Sequence, residues 1–381
     1  MTNVHVIGTG GHKPGEPIPT STIERLVGPL PENVRAGMPT EQRYWMIDPE
    51  TGEHHDSNSG MALKAAVQAI KTAGVDPHEI TLMILATGTP DYPLPPVVNL
   101  VQEGLGLAHC TTLELRSGGA GVGQALDIAR MYLEAGVHRT ALIIGSEAIS
   151  PILAPVYLGR DSRHIRMRDR MPVYMFGDGA GAMILQSAAA PGGLHPGASA
   201  CVGGMRKAGI KAVGGGTHAP ISKQLEARRL VDLQVDVVGA GDFTPVMITE
   251  AIHATLSIAG VDVDTIDACI LPEGNAGWML ESLVESGLDG HEWRSLEGKI
   301  VDSLATIGAV GCAAVPLFLD DAWRAGRLAR GSRLLLIGVE STKWIYAGSV
   351  LDWTLSLPTV SSTQGSPLTL AMDGAEIGAT T

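Results

Sequence analysis

Ser117-Gly118-Gly119-Ala120-Gly121 is the segment of this chain best placed to do chemistry. It follows the run Thr112-Leu113-Glu114-Leu115 and opens a long helical stretch, Val122 to Glu134. A sharp strand-to-helix turn of that kind is where a nucleophile elbow sits, with an amide of the helix's first turn facing whatever binds there. Ser117 supplies a hydroxyl, but it precedes the apex residue Gly119 by two positions, about 6–7 Å along an extended backbone, too far to replace an apex nucleophile without a shifted turn. Two other glycine-rich segments lack a helix amino terminus. Gly8-Thr9-Gly10-Gly11 runs on toward Pro14 and Pro17, which excludes a Rossmann phosphate site. FGDGAGAMIL, 176–185, turns straight into an apolar strand and lets backbone pass close to backbone. Arg160, Arg163, Arg166, Arg168 and Arg170 crowd the stretch RDSRHIRMRDR, which could hold a nucleotide phosphate or an acidic carrier domain. Asp161 and Asp169 lie among them, so a self-paired, solvated loop is the competing reading.

The elements that must position these residues are written twice. AGVDPHEITLMIL at 73–85 returns as AGVDVDTIDACIL at 259–271, and AGVHRTALIIGSE at 135–147 returns as AGRLARGSRLLLIGVE at 325–340. Two segments recurring in the same order, about half the chain apart, mean a duplicated domain and not a short-period solenoid. In each copy an apolar-periodic helix (Ala62 to Ala73, Thr249 to Ala259) ends at a capping glycine, Gly74 or Gly260. A turn and a continuously apolar strand follow, Leu82–Leu85 or Ala268–Leu271; later an Ala-Gly helix end feeds Ala141–Gly145 or Leu334–Gly338. Alternating helices and fully apolar strands predict an α/β fold with helices on both faces of mainly parallel sheets. Doubling it predicts five stacked layers with a buried helix pair in the middle. The halves are expected at 1–188 and 189–355, with a Ser-, Thr-, Pro- and Gly-rich tail, 356–381, left extended or loosely docked.

Composition narrows the function classes. At 381 residues, 45% hydrophobic and 18% charged, the chain can bury a large core. It has no run of about 18 uncharged apolar residues and no basic-then-apolar leader at its start, so a cytoplasmic, non-membrane protein is expected. A formal charge of −13 opposes nucleic-acid binding. Cys110, Cys201, Cys269 and Cys312 show no CxxC or Cys/His spacing, so neither a disulfide framework nor a metal site is expected.

From VIGTGG through SGGAGVGQALDIAR, LIIGSE, FGDGAGAMIL and LPEGN to AGSVLDW, roughly residues 1–353, the chain resembles the β-ketoacyl-acyl-carrier-protein synthase III family of the thiolase superfamily, in particular its acyltransferase branch in natural-product pathways. The resemblance implies the duplicated α-β-α-β-α thiolase fold and a Cys-His-Asn triad that handles acyl thioesters. At all three positions this sequence departs. Gly119 stands at the elbow where the Cys belongs, Glu273 of Pro272-Glu273-Gly274-Asn275-Ala276 at the His, and Ala309 of Ile307-Gly308-Ala309 at the Asn. The glycine loop near the carboxyl end is altered too, to Thr342-Lys343-Trp344-Ile345.

Without a thiolate no covalent thioester forms at the elbow, and without the His and Asn donors decarboxylative condensation is disabled. What the resemblance leaves is a pantetheine pocket, an oxyanion-binding amide near Gly119 and the carboxylate of Glu273. Such a carboxylate could act as general base on an incoming hydroxyl or amine, help worth about 10²–10⁴-fold. The expectation is direct acyl transfer from a coenzyme A or carrier-protein thioester to a small natural-product intermediate, with the thioester as co-substrate and no permanently bound cofactor. Asn275, Trp45, Arg160, Arg163 and Lys343 are the candidates for contact with pantetheine or its nucleotide. As substitute nucleophiles Ser117 and Cys312 rank behind direct transfer, Cys312 because a packed thiol fits its place at the start of a buried helix. The competing class is a catalytically inactive homologue lending a dimer surface to an active partner. A homodimer is expected through the segment around 80–120, where Tyr92 to Val98 is apolar and punctuated by proline.

Overall fold

The computed structural model describes residues 2–226 and 232–357; the tail beyond lies outside the described residues. Ten strands build two five-stranded sheets. The first contains β1 (Asn3–His12), β2 (Leu82–Ala86), β3 (Thr111–Leu115), β4 (Thr140–Glu147) and β5 (Gly179–Ala188), in the order β1-β5-β4-β2-β3. The second contains β6 (Ala198–Cys201), β7 (Ala268–Ile270), β8 (Ile300–Val301), β9 (Arg333–Glu340) and β10 (Ile345–Asp352), in the order β6-β10-β9-β7-β8. The two orders are the same permutation, and the senses match as well: β2 runs parallel to β3 and β4, β7 runs parallel to β8 and β9. The duplication seen in the sequence is therefore a duplication of topology.

Continuous apolar strands fold this way because both faces are covered. Along β2, Leu82, Ile84 and Ala86 face one core while Met83 and Leu85 face another. Along β9, Leu334 and Leu336 join the first core and Leu335 and Ile337 a third. The shared middle core also holds Val122, Ala125, Leu126 and Ala129 of helix α2 (Gly121–Glu134) and Val315, Leu317, Phe318 and Leu319 of α5 (Ala314–Arg324). Helix α1 (Asn58–Ala73) closes the outer face of the first sheet. Helices α3 (Val237–Ala259) and α4 (Gly277–Glu285) close that of the second. Five layers result, with α2 and α5 as the buried pair. The capping glycines behave as expected, Gly74 at φ 66° and Gly260 at φ 62°, both left-handed.

Two expectations need correction. The sheets are mixed, because β1, β5 and β4 pair antiparallel, as do β6, β10 and β9. A four-residue turn joins β9 to β10, and a connection that short can only reverse the chain. The helix expected from Thr249 starts instead at Val237, capped by the Asp236 carboxylate on the Gly239 amide, and it carries Pro245 inside.

The FGDG turn before β5 ties neighbouring loops of the first half together through Asp178. Its buried carboxylate accepts from the amides of Met46 at 2.7 Å, Ile149 at 2.6 Å and Ser150 at 2.9 Å, and from the Ser150 hydroxyl. Burial pushes this carboxyl up to about 6 in spite of those bonds. Asp178→Ala strands three buried amides, so a loss of about 3 kcal/mol or more in stability is expected in denaturant titration. A variant as stable as the parent would contradict that role.

Candidate active site

β3 leads through Ser117 to Gly118, whose φ of +51° turns the chain, and a single 3-10 turn, Gly118–Ala120, enters α2. The second half repeats this: Gly311 has φ +46°, a 3-10 turn spans Gly311–Ala313, and α5 begins at Ala314. Cys312 is thus the counterpart of Gly119. Each apex amide donates to the glutamate that ends a strand of the opposite half. Gly119 N–H binds Glu340 Oε2 at 2.9 Å, and Cys312 N–H binds Glu147 Oε2 at 3.1 Å. The exchange is reciprocal, but the surroundings of the two carboxylates differ. Glu147 is buried and takes further bonds from Thr89 Oγ1 at 2.6 Å and the Gly88 amide at 2.9 Å. Glu340 has Thr342 besides, whose amide donates at 2.7 Å and whose side chain also bonds it, and it lines a cavity.

That cavity, of about 90 Å³, gathers Gly119, Glu273 and Ala309 into one wall together with Glu340. Both halves contribute to it. Phe176 and Gly119 come from the first, while Met247 of α3 and Phe318 of α5 come from the second. Ala309 is held there by exchange of backbone bonds: its amide donates to Met175 O at 2.9 Å and its carbonyl accepts from Gly177 N at 3.0 Å. Glu273 sits in left-handed backbone, φ 68°, a conformation that strains a side-chain-bearing residue. Asp302 fastens its loop, accepting from the amides of Leu304 at 2.8 Å and Asn275 at 3.4 Å.

Electrostatics follow from the lining. Thr244 and Ser341 add hydroxyls, but among the described residues no imidazole, thiol, amine or guanidinium is in the lining. Burial pushes the Glu273 carboxyl up to about 7, helped by the negative charges of Asp302 and Glu340. Burial also raises Glu340, against the opposing bonds from Thr342 and Gly119.

The other candidate residues lie elsewhere. Ser117 is half-buried outside the cavity wall. The Cys312 thiol is fully buried, donates to Gly118 O at 3.1 Å, and is raised well above the usual thiol range by burial and by Glu147, so it is packed and inert. Trp45 is 2% exposed, bonds Phe176 O through its indole N–H at 2.9 Å and stacks on Tyr157; it plugs the first half's outer core and has no face free for a cofactor. Lys343 spends its ammonium on the carbonyls of Gly204 and Arg206, and Trp344 beside it bonds Lys207 O, so the altered glycine loop anchors segment 204–207. Asn275 is exposed beside the Glu273 turn and donates to Ile300 O at 3.3 Å. In the arginine run, Arg163 pairs with Asp161, Arg166 and Arg168 with Asp169, and Arg170 binds the carbonyls of Ile165, Pro29 and Ser162. Self-pairing accounts for most of that loop; Arg160 is exposed. Glu340 was not among the sequence-predicted residues. Its signal was the duplication itself, since LIIGSE and LLLIGVE both close on a glutamate.

Residues 113–199, from β3 through the elbow, α2 and β5, match the family model described as 3-oxoacyl-[acyl-carrier-protein] synthase III. The elbow and the strands on either side of it thus carry a synthase III family match. Along most of its length the chain is homologous to curated β-ketoacyl-[acyl-carrier-protein] synthases III. It is 27% identical over 338 residues to that of Desulfitobacterium hafniense (strain Y51), covering 89% of this chain and 94% of that one. It is 26% identical over 358 residues to that of Clostridioides difficile (strain 630), covering 93% and 99%. Among solved structures, the tetronic acid condensing enzyme AbyA1 superposes with a TM-score of 0.78 at 28% identity, covering 92% of this chain and 99% of that one. The priming β-ketosynthase of the R1128 polyketide pathway gives 0.76 at 22% identity, covering 93% and 97%, which speaks for the fold. The synthase III-like chain therefore has the thiolase fold, and its cavity lies between the two elbows.

Proposed function

We propose that this synthase III-like protein moves an acyl group from a coenzyme A or carrier-protein thioester directly to a hydroxyl or amine of a small natural-product intermediate. The observation that carries the reading is the meeting of Glu273 and Gly119 in one cavity whose wall, among the described residues, has no thiol or imidazole. Glu273, poised near neutrality, takes the acceptor's proton as the acceptor attacks the thioester carbonyl. A bond forms from carbonyl carbon to acceptor oxygen or nitrogen, the carbon–sulfur bond breaks, and the proton passes to the departing thiolate. The Gly119 amide already holds a carboxylate oxygen, as an oxyanion donor must be able to do, and Glu340 has to leave it before the thioester oxygen can enter. The likeness to AbyA1 supports a natural-product setting.

That same occupancy of the amide favours a second reading, a catalytically inactive subunit supporting an active thiolase-fold partner. In either case we propose pairing through the edge strand β3 and the adjoining loop, a reading supported by the exposure of Tyr92, 54%, and Leu94, 79%. No helix among the described residues is long and apolar enough to cross a membrane, which fits the cytoplasmic setting proposed. Incubation with acyl thioesters and pathway alcohols or amines separates the readings. Acceptor-dependent thiol release is expected; its absence across the panel, with copurification of a thiolase-fold relative, would establish the inactive subunit.

A further inference from the structure

We propose that the acceptor is a primary amine, which enters as an ammonium ion and is held between Glu273 and Glu340. This rests on the direct-transfer reading and names its substrate class. Elsewhere in the fold, carboxylates drawn out of water are matched by cations or donors. Asp320 faces Arg324 at 2.7 Å, Asp352 faces Arg333 at 2.9 Å and His195 at 3.0 Å, and Asp56 faces Lys64 at 2.6 Å. Asp178 and Glu147 are ringed by amides and hydroxyls. Glu273 is the exception: it lines the cavity half-buried, and it has no side-chain hydrogen bond among the described residues. Glu340, in the same wall, is met by the amides of Gly119 and Thr342 and by the Thr342 side chain, with no cation among its partners in the described residues. Two carboxylates facing one cavity, with no cationic side chain in its described lining, favour a cationic ligand there.

An ammonium group suits it better than a hydroxyl. It brings three donors and a positive charge, enough to bond both carboxylates at once, whereas an alcohol brings one donor and no charge. A cavity of about 90 Å³ is the share of liquid volume taken by about three waters, so it admits the amine head and a short alkyl stem. Phe176, Met247 and Phe318 give that stem an apolar wall. Attraction of Glu340 to the ammonium also draws it from the Gly119 amide, which frees that donor for the thioester oxygen. The step balances: the ammonium gives one proton to Glu273, the amine nitrogen bonds the carbonyl carbon, the carbon–sulfur bond breaks, and the second proton goes to the thiolate. Amide, thiol and one proton, released from Glu273 to solvent, are the products.

The test uses n-propylamine and its isostere 1-propanol as probes with the full-length protein. Calorimetry at pH 8 is expected to show propylammonium binding at least about tenfold more tightly than propanol. Glu273→Gln and Glu340→Gln should each weaken propylammonium about tenfold and leave propanol unchanged. Because a variant could fold poorly, the parent protein is also titrated across pH. Ammonium binding should weaken as pH falls through about 7, where Glu273 gains its proton beside Glu340 and Asp302. Equal binding of the two probes, or ammonium binding indifferent both to pH and to the substitutions, would overturn the proposal. The parent reading fails separately. If alcohols but not amines accept acyl groups from acetyl- to octanoyl-coenzyme A, the amine inference falls and transfer stands. If propylammonium binds selectively but no amine or alcohol ever releases thiol, the amine site stands and transfer falls.

Discussion

Glu273→Gln will lower acceptor-dependent thiol release by about 10²–10⁴-fold, the loss expected when a positioned general base is removed. The substitution keeps the shape of the side chain and removes only its charge and basicity, so thioester binding through the rest of the cavity should persist. In the parent, transfer should rise with pH through about 7, because only the ionised carboxylate can take the acceptor's proton. Stability should move the other way. The folded pKa, about 7, lies above the ordinary 4.5, so the folded chain holds this proton more tightly and loses stability as pH climbs from about 4.5 to 7. Glu273→Gln escapes that loss. Its melting temperature should equal or exceed the parent's at pH 8, with the advantage shrinking at pH 5. Lower activity together with undiminished stability marks a residue kept for chemistry; an unchanged rate would remove the base from the mechanism.

Gly119→Cys, which restores the family's nucleophile type, is expected to yield neither condensation nor an acyl-enzyme. A Cβ at position 119 would collide with the carbonyl oxygen of Val339, and β9 would have to move to admit it. Overpacking of that kind costs about 1–3 kcal/mol, visible as a drop of several degrees in melting temperature. Chemistry would not be recovered either. The apex faces Glu340, and the fold already contains a control, Cys312, whose thiol at the matching apex is held well above the usual range by burial and Glu147. Cysteine reactivity needs a lowered pKa, and a neighbouring carboxylate does the opposite. Alkylation of the introduced thiol should therefore be slower than that of an ordinary free thiol at pH 8. Rapid alkylation, or a stable acyl adduct on that thiol, would show that the cavity still supports covalent catalysis.

The layered fold was legible because each strand had to be apolar on both faces, and Leu82–Leu85, Ala141–Gly145 and Leu334–Gly338 could be neither surface strands nor loops. The helix ends were legible because Gly74 and Gly260 adopt the left-handed cap that an Ala-Gly end calls for. Strand direction was not: apolar runs report burial, and the antiparallel β9–β10 pair is set by the short 341–344 turn. At the site, the elbow could be read from its glycines and Glu273 came from the family resemblance, but Glu340 was missed. Its bond to Gly119 crosses from one half to the other, and only the packed pair of elbows reveals it. Trp45 and Lys343 bond backbone carbonyls for a similar reason, since an indole and an ammonium find these as readily as a ligand.

Intact-mass analysis of the protein, quenched during turnover of an acyl thioester with an amine acceptor, tests the central claim most directly. Direct transfer requires released thiol, an acylated acceptor and a protein of unaltered mass at every time point. A protein population heavier by one acyl group, formed and consumed at the rate of turnover, would contradict it.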